Sequence, residues 1–173
     1  MEIIIANKSH AIYAKIICET IADSANIRGT GIAKRTTDYI IQRMNNQNAV
    51  IALDDERFVG FCYIEKWSHG KFVANSGLIV HPDYRGKGIG KRVINHLISK
   101  FSSSSRYFFL KPFPLQMCGS SILKTKLDKD EVDFNSLNKD ENISSFKLKQ
   151  FYSSIGFKEF NNLMVLDTLN IDS

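Results

Sequence analysis

Short apolar runs alternate along this chain with longer stretches of helical spacing. "EIIIA", Glu2–Ala6, predicts an opening strand. From Lys8 to Asn26 the positions Ile12, Ile16, Ile17, Thr20, Ile21 and Ala25 recur at helical spacing, predicting one helix that buries them. "IRGTGIAKRTT" then reads as a loop, with Thr36 or Thr37 as the cap of a second helix, Asp38 to Asn46. "AVIAL" predicts a buried strand and "DDE" a tight turn. "RFVGFCYIEKW" and "KFVANSGLIVH" predict two more strands joined by "SHG". Beyond them Val93, Ile94, Leu97 and Ile98 mark the buried side of a helix that stops near the run "SSSS".

"RYFFLKPFPL" predicts a strand that Pro112 and Pro114 bring to an end. Residues 118–145, with charged blocks such as "KLDKDE" and "NKDEN", read as a polar insertion. "FKLKQFYSSIGFKEF" predicts a helix ending at Gly156, and "FNNLMVLDTL" a closing strand. The resulting order is β-α-α-β-β-β-α-β-insertion-α-β. Early hairpin strands followed by βαβ units predict a single α+β domain over residues 1–173, built on a mixed sheet.

Composition narrows the function classes. The net charge of +5 is spread along the chain and not gathered into a basic arm, so nucleic acid is not the expected partner. No apolar run approaches the roughly 20 residues of a membrane span, and the N-terminal stretch lacks the pattern of a secretory leader. Cys18, Cys62 and Cys118 are widely spaced and odd in number, which indicates neither a zinc site nor a disulfide framework. Reduced, buried thiols in a cytoplasmic protein are expected. His10 and His96 read as solvated, and no HxxxH pair suggests a metal. "DKDEVDFNSLNKDE" alternates carboxylates like a calcium loop but lacks the glycine and terminal acid that such a loop needs.

The chemistry gathers in "HPDYRGKGIGKR", His81–Arg92. Gly86, Gly88 and Gly90 alternate there among Arg85, Lys87, Lys91 and Arg92, directly behind an apolar strand and ahead of a helix. Glycine frees the backbone to curl, and curled backbone presents N–H groups to an anion at the positive end of the helix dipole. The spacing fits neither a Walker A loop nor the GxGxxG dinucleotide fingerprint. It does satisfy Arg/Gln-x-x-Gly-x-Gly/Ala.

With the strand before it and the helix after it, "GLIVHPDYRGKGIGKRVINHLI" resembles the cofactor motif of the GNAT acetyltransferases. "FYSSIGF", Phe151–Phe157, resembles the second hallmark of that superfamily. The resemblance implies a GNAT fold, with a central mixed, twisted sheet flanked by helices, and acetyl-CoA as co-substrate without a metal. It implies pantetheine contacts along Leu78, Ile79 and Val80. It also implies a pyrophosphate cradle from Arg85, Gly86, Lys87, Gly88, Ile89, Gly90 and Lys91. Tyr152 matches the tyrosine expected to protonate the departing thiolate, a role open to a phenol with pKa near 10. Glu65 is the first candidate for general base, with His69 and His81 as alternatives.

The loop "RGTGIAKRTT" is similar to an element of amino-acid acetyltransferases of the N-acetylglutamate synthase kind, met here by Gly31, Ile32, Arg35 and Thr36. Arg28, Lys34 and Arg35 become candidates to pair with an acceptor carboxylate. The segment "VANSGL" departs from that pattern in having no acidic residue before the cofactor loop. The expected reaction is acetyl transfer to a small polar amine, possibly an amino acid such as glutamate. The rivals are transfer to a protein or peptide amine, and a coenzyme A-binding module without catalysis. A homodimer is compatible with the family.

Overall fold

The computed structural model describes residues 1–28, 34–67, 72–105, 107–110, 146–160 and 163–170. Gly31, Ile32, His69, Cys118 and the expected insertion at 118–145 lie outside them. The chain divides into two compact units, Met1–Ile64 with Gly77–Phe101, and Glu65–Ser76 with Ser102–Ser173.

In the first unit β1 (Glu2–Ile5), β2 (Ala49–Asp54) and the first part of β3 (Arg57–Trp67) form an antiparallel meander, with Ile4 opposite Ile51 and Ile51 opposite Phe61. The continuous run of β2 is apolar because both faces are covered. Ala49, Ile51 and Leu53 join Ile17 and Ile21 of α1 (Ala14–Arg28) and Ile40 and Met44 of α2 (Thr37–Asn45) in one core. On the other side α3 (Ile89–Phe101) packs on β1 and β2, burying Val93, Ile94 and Leu97.

Two positive φ angles, +46° at Asp55 and +61° at Glu56, make the β2–β3 connection a two-residue turn of the kind that matches strand twist. Non-glycine residues resist that conformation. Tyr13 offsets the cost by donating its hydroxyl to Glu56 O at 2.8 Å. The register slips between Ala52↔Gly60 and Leu53↔Phe58, leaving Val59 as the extra residue of a β-bulge.

The N-terminal helical segment departs from expectation. Lys8–Tyr13 is a 3-10 turn, and the α-helix begins only at Ala14. Three residues per turn followed by 3.6 breaks the phase assumed for a single helix. Ile17, Thr20 and Ile21 are buried as expected, whereas Ile12 is 78% exposed and Ile16 also faces out. His10, expected in solvent, is buried; Asn7 N–H donates to its Nδ1 at 3.0 Å while Asn7 Oδ1 accepts Ser9 N–H at 2.9 Å. This reciprocal cap holds the entry to α1. His10→Ala is expected to cost about 1–3 kcal/mol through the lost cap and buried volume. Thermal unfolding checks it; an unchanged Tm would show that the turn does not depend on the imidazole.

In the second unit the first residues of β4 (Phe72–Val80) pair in parallel with β5 (Tyr107–Leu110), Phe72 opposite Tyr107. β5 then pairs antiparallel with β7 (Leu163–Asp167), and β7 with β6 (Lys158–Phe160). Parallel and antiparallel ladders together give the mixed α+β character expected. The single closing strand expected at 160–169 is instead β7, with β6 as an added partner. A three-residue strand shows too little alternation to be read from sequence. α4 (Phe146–Ser153) packs on β6 and β7, and Lys149 pairs with Glu159.

Of the thiols expected to be buried, Cys62 is and Cys18 is only half-buried, while Cys118 lies outside the described residues. Cys62 is fully buried and burial pushes its pKa up to about 12, so it stays protonated. Cys18 is raised too, by burial first and by the neighbouring Glu19 charge second. No helix among the described residues is long and apolar enough to cross a membrane.

Candidate active site

The site is built where β4 leaves the sheet of the first unit. His81 N–H donates to Val59 O at 2.8 Å, tying the end of β4 to the bulge of β3. Close approach needs Gly60, because a Cβ there would lie 3.3 Å from Ile79 O and 3.7 Å from both Ile89 and Val93 side chains. Gly60→Ala is expected to destabilise by about 1–3 kcal/mol, as overpacking does. Denaturant unfolding reads this as a lower midpoint; an unchanged midpoint would mean that Ile79 gives way at no cost.

After Val80 the chain makes a 3-10 turn, Pro82–Tyr84, which His81 caps by accepting Asp83 N–H on Nδ1 at 3.4 Å. The His81 ring stands edge-on to Phe58 and Tyr84. That makes His81, an alternative general base on sequence grounds, a capping and packing residue. Arg85 Nε donates to Val80 O at 2.9 Å, closing the turn back onto the strand. Gly86 and Gly88 follow at φ +75° and +73°. Nothing lies within 4 Å of a Cβ built at either position. Glycine is therefore required for its left-handed backbone and not for space.

Among the described residues, the first N–H beyond these glycines to find a main-chain acceptor is that of Arg92, on Gly88 O at 3.2 Å. The N–H groups from Gly86 to Lys91 thus stand at the start of α3, where an aligned helix concentrates partial positive charge. Lys87 Nζ reaches Asp83 O at 3.3 Å and lies 5.3 Å from the Tyr84 ring centroid; Lys91 and Arg92 are exposed on the first turn. Curled backbone, a helix start and exposed cations fit a phosphate-bearing ligand. Leu78, Ile79 and Val80 lead into the cradle, Ile79 buried and its neighbours half-buried.

Tyr152 belongs to the second unit. It lies near the end of α4, 8% exposed, with its ring edge-on to Phe151 at 5.1 Å and Phe157 at 5.5 Å. Its carbonyl accepts Ile155 N–H at 3.0 Å and Phe157 N–H at 3.1 Å, and Gly156 at φ +106° turns the chain. This is why "FYSSIGF" works as a unit: the glycine reverses the backbone and returns Phe157 to the tyrosine ring. Glu65, half-buried on β3, also belongs to the second unit. His69 lies outside the described residues.

Of the cations expected to meet an acceptor carboxylate, Arg28 is the last residue of α1 and Lys34 is exposed. Arg35 is half-buried, and its Nε donates to Tyr63 Oη at 3.0 Å. Its guanidinium lies 4.8 Å from the Tyr39 ring centroid and 5.9 Å from that of Tyr63. Sequence reasoning missed both tyrosines. Tyr39 sits four residues beyond Arg35, a spacing that offered a signal once Thr36 was read as a cap; Tyr63 is 28 residues away and offered none.

The strand–glycine loop–helix geometry defines a class of proteins built to hold a phosphate-bearing ligand at a helix start. A family model described as Acetyltransferase (GNAT) domain matches residues 45–159. The chain belongs to the GNAT acetyltransferase family.

Solved structures share its fold. yncA of Salmonella typhimurium, solved with its cofactor acetyl-CoA, aligns over 97% of this chain and 94% of its own, with TM-score 0.61 and 16% identity. An aminoglycoside 6'-N-acetyltransferase complexed with coenzyme A aligns over 97% of each chain, with TM-score 0.63 and 15% identity. The N-acetylglutamate synthase of Neisseria gonorrhoeae, complexed with coenzyme A and N-acetyl-glutamate, aligns over 96% of this chain but 35% of its own, with TM-score 0.57 and 14% identity. A search of curated protein sequences returned no match.

Proposed function

We propose that the chain transfers an acetyl group from acetyl-CoA directly to the primary amine of a small polar acceptor, an acidic amino acid such as glutamate being favoured. The observation that carries the donor side of this reading is the cradle itself: Gly86 and Gly88 in left-handed conformation ahead of α3, with the N–H groups from Gly86 to Lys91 at the helix start. Those groups would hold the pyrophosphate, with Lys87 and Lys91 adding charge and Arg85 fixing the turn against Val80. The backbone of Leu78, Ile79 and Val80 would pair with the pantetheine arm. A backbone N–H in that run would polarise the thioester carbonyl.

Tyr152 is assigned the proton that the departing sulfur takes up, and Glu65 the proton that the acceptor ammonium gives away. Arg35, with Lys34 and Arg28 in the same segment, would recognise the acceptor carboxylate. The test is to incubate the protein with acetyl-CoA and a panel of amines, including glutamate, neutral amines and peptides, and to follow free thiol. Release that depends on a small acidic amine supports the reading. Release only with peptides would move the acceptor class, and coenzyme A binding without release from any acceptor would make the chain a binding module.

A further inference from the structure

We propose that the outer face of α1 is a homodimer interface, on which a second copy of this chain packs antiparallel about a two-fold axis. The inference is independent of the acceptor reading, since it uses no residue of the candidate site. Ile12, Lys15, Glu19 and Ala22 follow one another at spacings of three, four and three, which lines them up along one side of a helix. Ile17, Thr20, Ile21 and Ser24 turn the opposite side into the fold. Ile12 is 78% exposed, and Ile16 borders it at 36%. The fold holds Ile12 outward. The Asn7–His10 cap fixes the 3-10 turn, and the next residue, Tyr13, is tied by its hydroxyl to Glu56 O at 2.8 Å. Two neighbouring isoleucines fixed in water by a rigid element are stabilised by being covered.

Charge decides what covers them. The row reads apolar, cation, anion, apolar, so it is complementary to its own reverse. Turned end for end about an axis between Lys15 and Glu19, a second α1 sets Ile12 against the partner's Ala22 and Lys15 against the partner's Glu19, and the reverse by symmetry. Within one chain Lys15 Nζ lies 3.9 Å from Glu19 Oε1, with side chains 84% and 55% exposed, a contact worth little by itself in water. The two-fold gives each ammonium a second carboxylate, closing a ring of charges that alternate in sign. A parallel pair would set like charges side by side, and a uniformly acidic or basic partner would repel one of the two. α3, whose start forms the anion cradle, packs on the other side of the sheet from α1, so both cradles stay open. From Ile12 to Ala22 the face runs about 15 Å. That is at the small end of specific interfaces, so the dimer is expected to be weak, with Kd about 10–100 μM.

The test is sedimentation velocity on the full chain at about 1–300 μM, which spans that Kd. The wild type is expected to pass from monomer to dimer across the range. Lys15→Glu and Glu19→Lys should each raise Kd about tenfold or more, because like charges then meet across the axis. Ile12→Ser should weaken the dimer too, by removing apolar area. Combining Lys15→Glu with Glu19→Lys restores the alternation and is expected to bring Kd back to within about threefold of wild type. Lys15, Glu19 and Ile12 face water in the single chain, so the core is untouched by these changes. A wild type that stays monomeric throughout overturns the proposal. A dimer that none of the single substitutions weakens has its interface elsewhere and overturns it as well. Weakening by both charge reversals without recovery in the combined variant overturns the antiparallel pairing.

Discussion

Replacing Gly86 and Gly88 together by alanine is expected to weaken coenzyme A binding about a hundredfold. Both glycines hold φ near +75°, and a Cβ at either meets nothing within 4 Å. The penalty is therefore conformational: an L-residue in the left-handed region costs about 1–2 kcal/mol, and two such costs sum to roughly a hundredfold in affinity. In the free protein the alanine loop is expected to relax toward negative φ, since the positive-φ strain is the cost that relaxation removes. It then turns its N–H groups out of the cradle, and binding must restore them. Calorimetric titration with coenzyme A reads the loss, and a melting curve close to wild type shows that the core under α3 is intact. Undiminished affinity would place the pyrophosphate somewhere other than this loop and remove the observation on which the proposed function stands.

Tyr152→Phe is expected to lower kcat about a hundredfold while the Kd for coenzyme A stays close to wild type, since general acid catalysis is typically worth ~10²–10⁴. The substitution deletes the hydroxyl alone. The ring contacts with Phe151 and Phe157, and the turn at Gly156 that returns Phe157, are kept by phenylalanine. Loss of rate without loss of binding is the signature of an interaction made in the transition state. Thiol release under saturating acetyl-CoA measures it. A variant with unchanged kcat would take Tyr152 out of the mechanism and leave water to protonate the departing sulfur. A variant that loses both rate and coenzyme A affinity would make it a packing residue.

The cradle was legible before any coordinates because its determinants are local. A left-handed backbone demands glycine, a helix start supplies N–H groups, and both requirements are written within "YRGKGIGKR". The same holds for the bounds of β3, Arg57–Trp67, and for Thr36, whose side chain accepts Tyr39 N–H at the start of α2. "FYSSIGF" was legible for the same reason. Its helix end, its glycine turn and its aromatic return lie within seven residues.

What failed to be legible depended on phase or on distance in sequence. The 3-10 turn at Lys8–Tyr13 shifted the helical phase and turned Ile12 outward, although isoleucine at that spacing reads as core. His10 reads as solvated from its polarity, and its burial follows from the 3-10 turn, in which the Asn7 N–H three residues upstream reaches its imidazole. β6 was missed because three residues carry no period, and pairing with β7 alone gives them a strand conformation.

By itself, then, the sequence determined the α+β class, the glycine loop that opens α3 and the resemblance to the family, because these depend on short-range periodicity and on φ angles that favour glycine. Tertiary structure alone decided what surrounds Arg35. Tyr63 meets Arg35 across 28 residues because β3 carries it into the core beside α2, and no spacing rule links a strand residue to a loop cation. Gly60 likewise acquires its purpose only when the end of β4 is laid against it. Contacts between distant segments are set by how the elements pack, which no spacing within one element encodes.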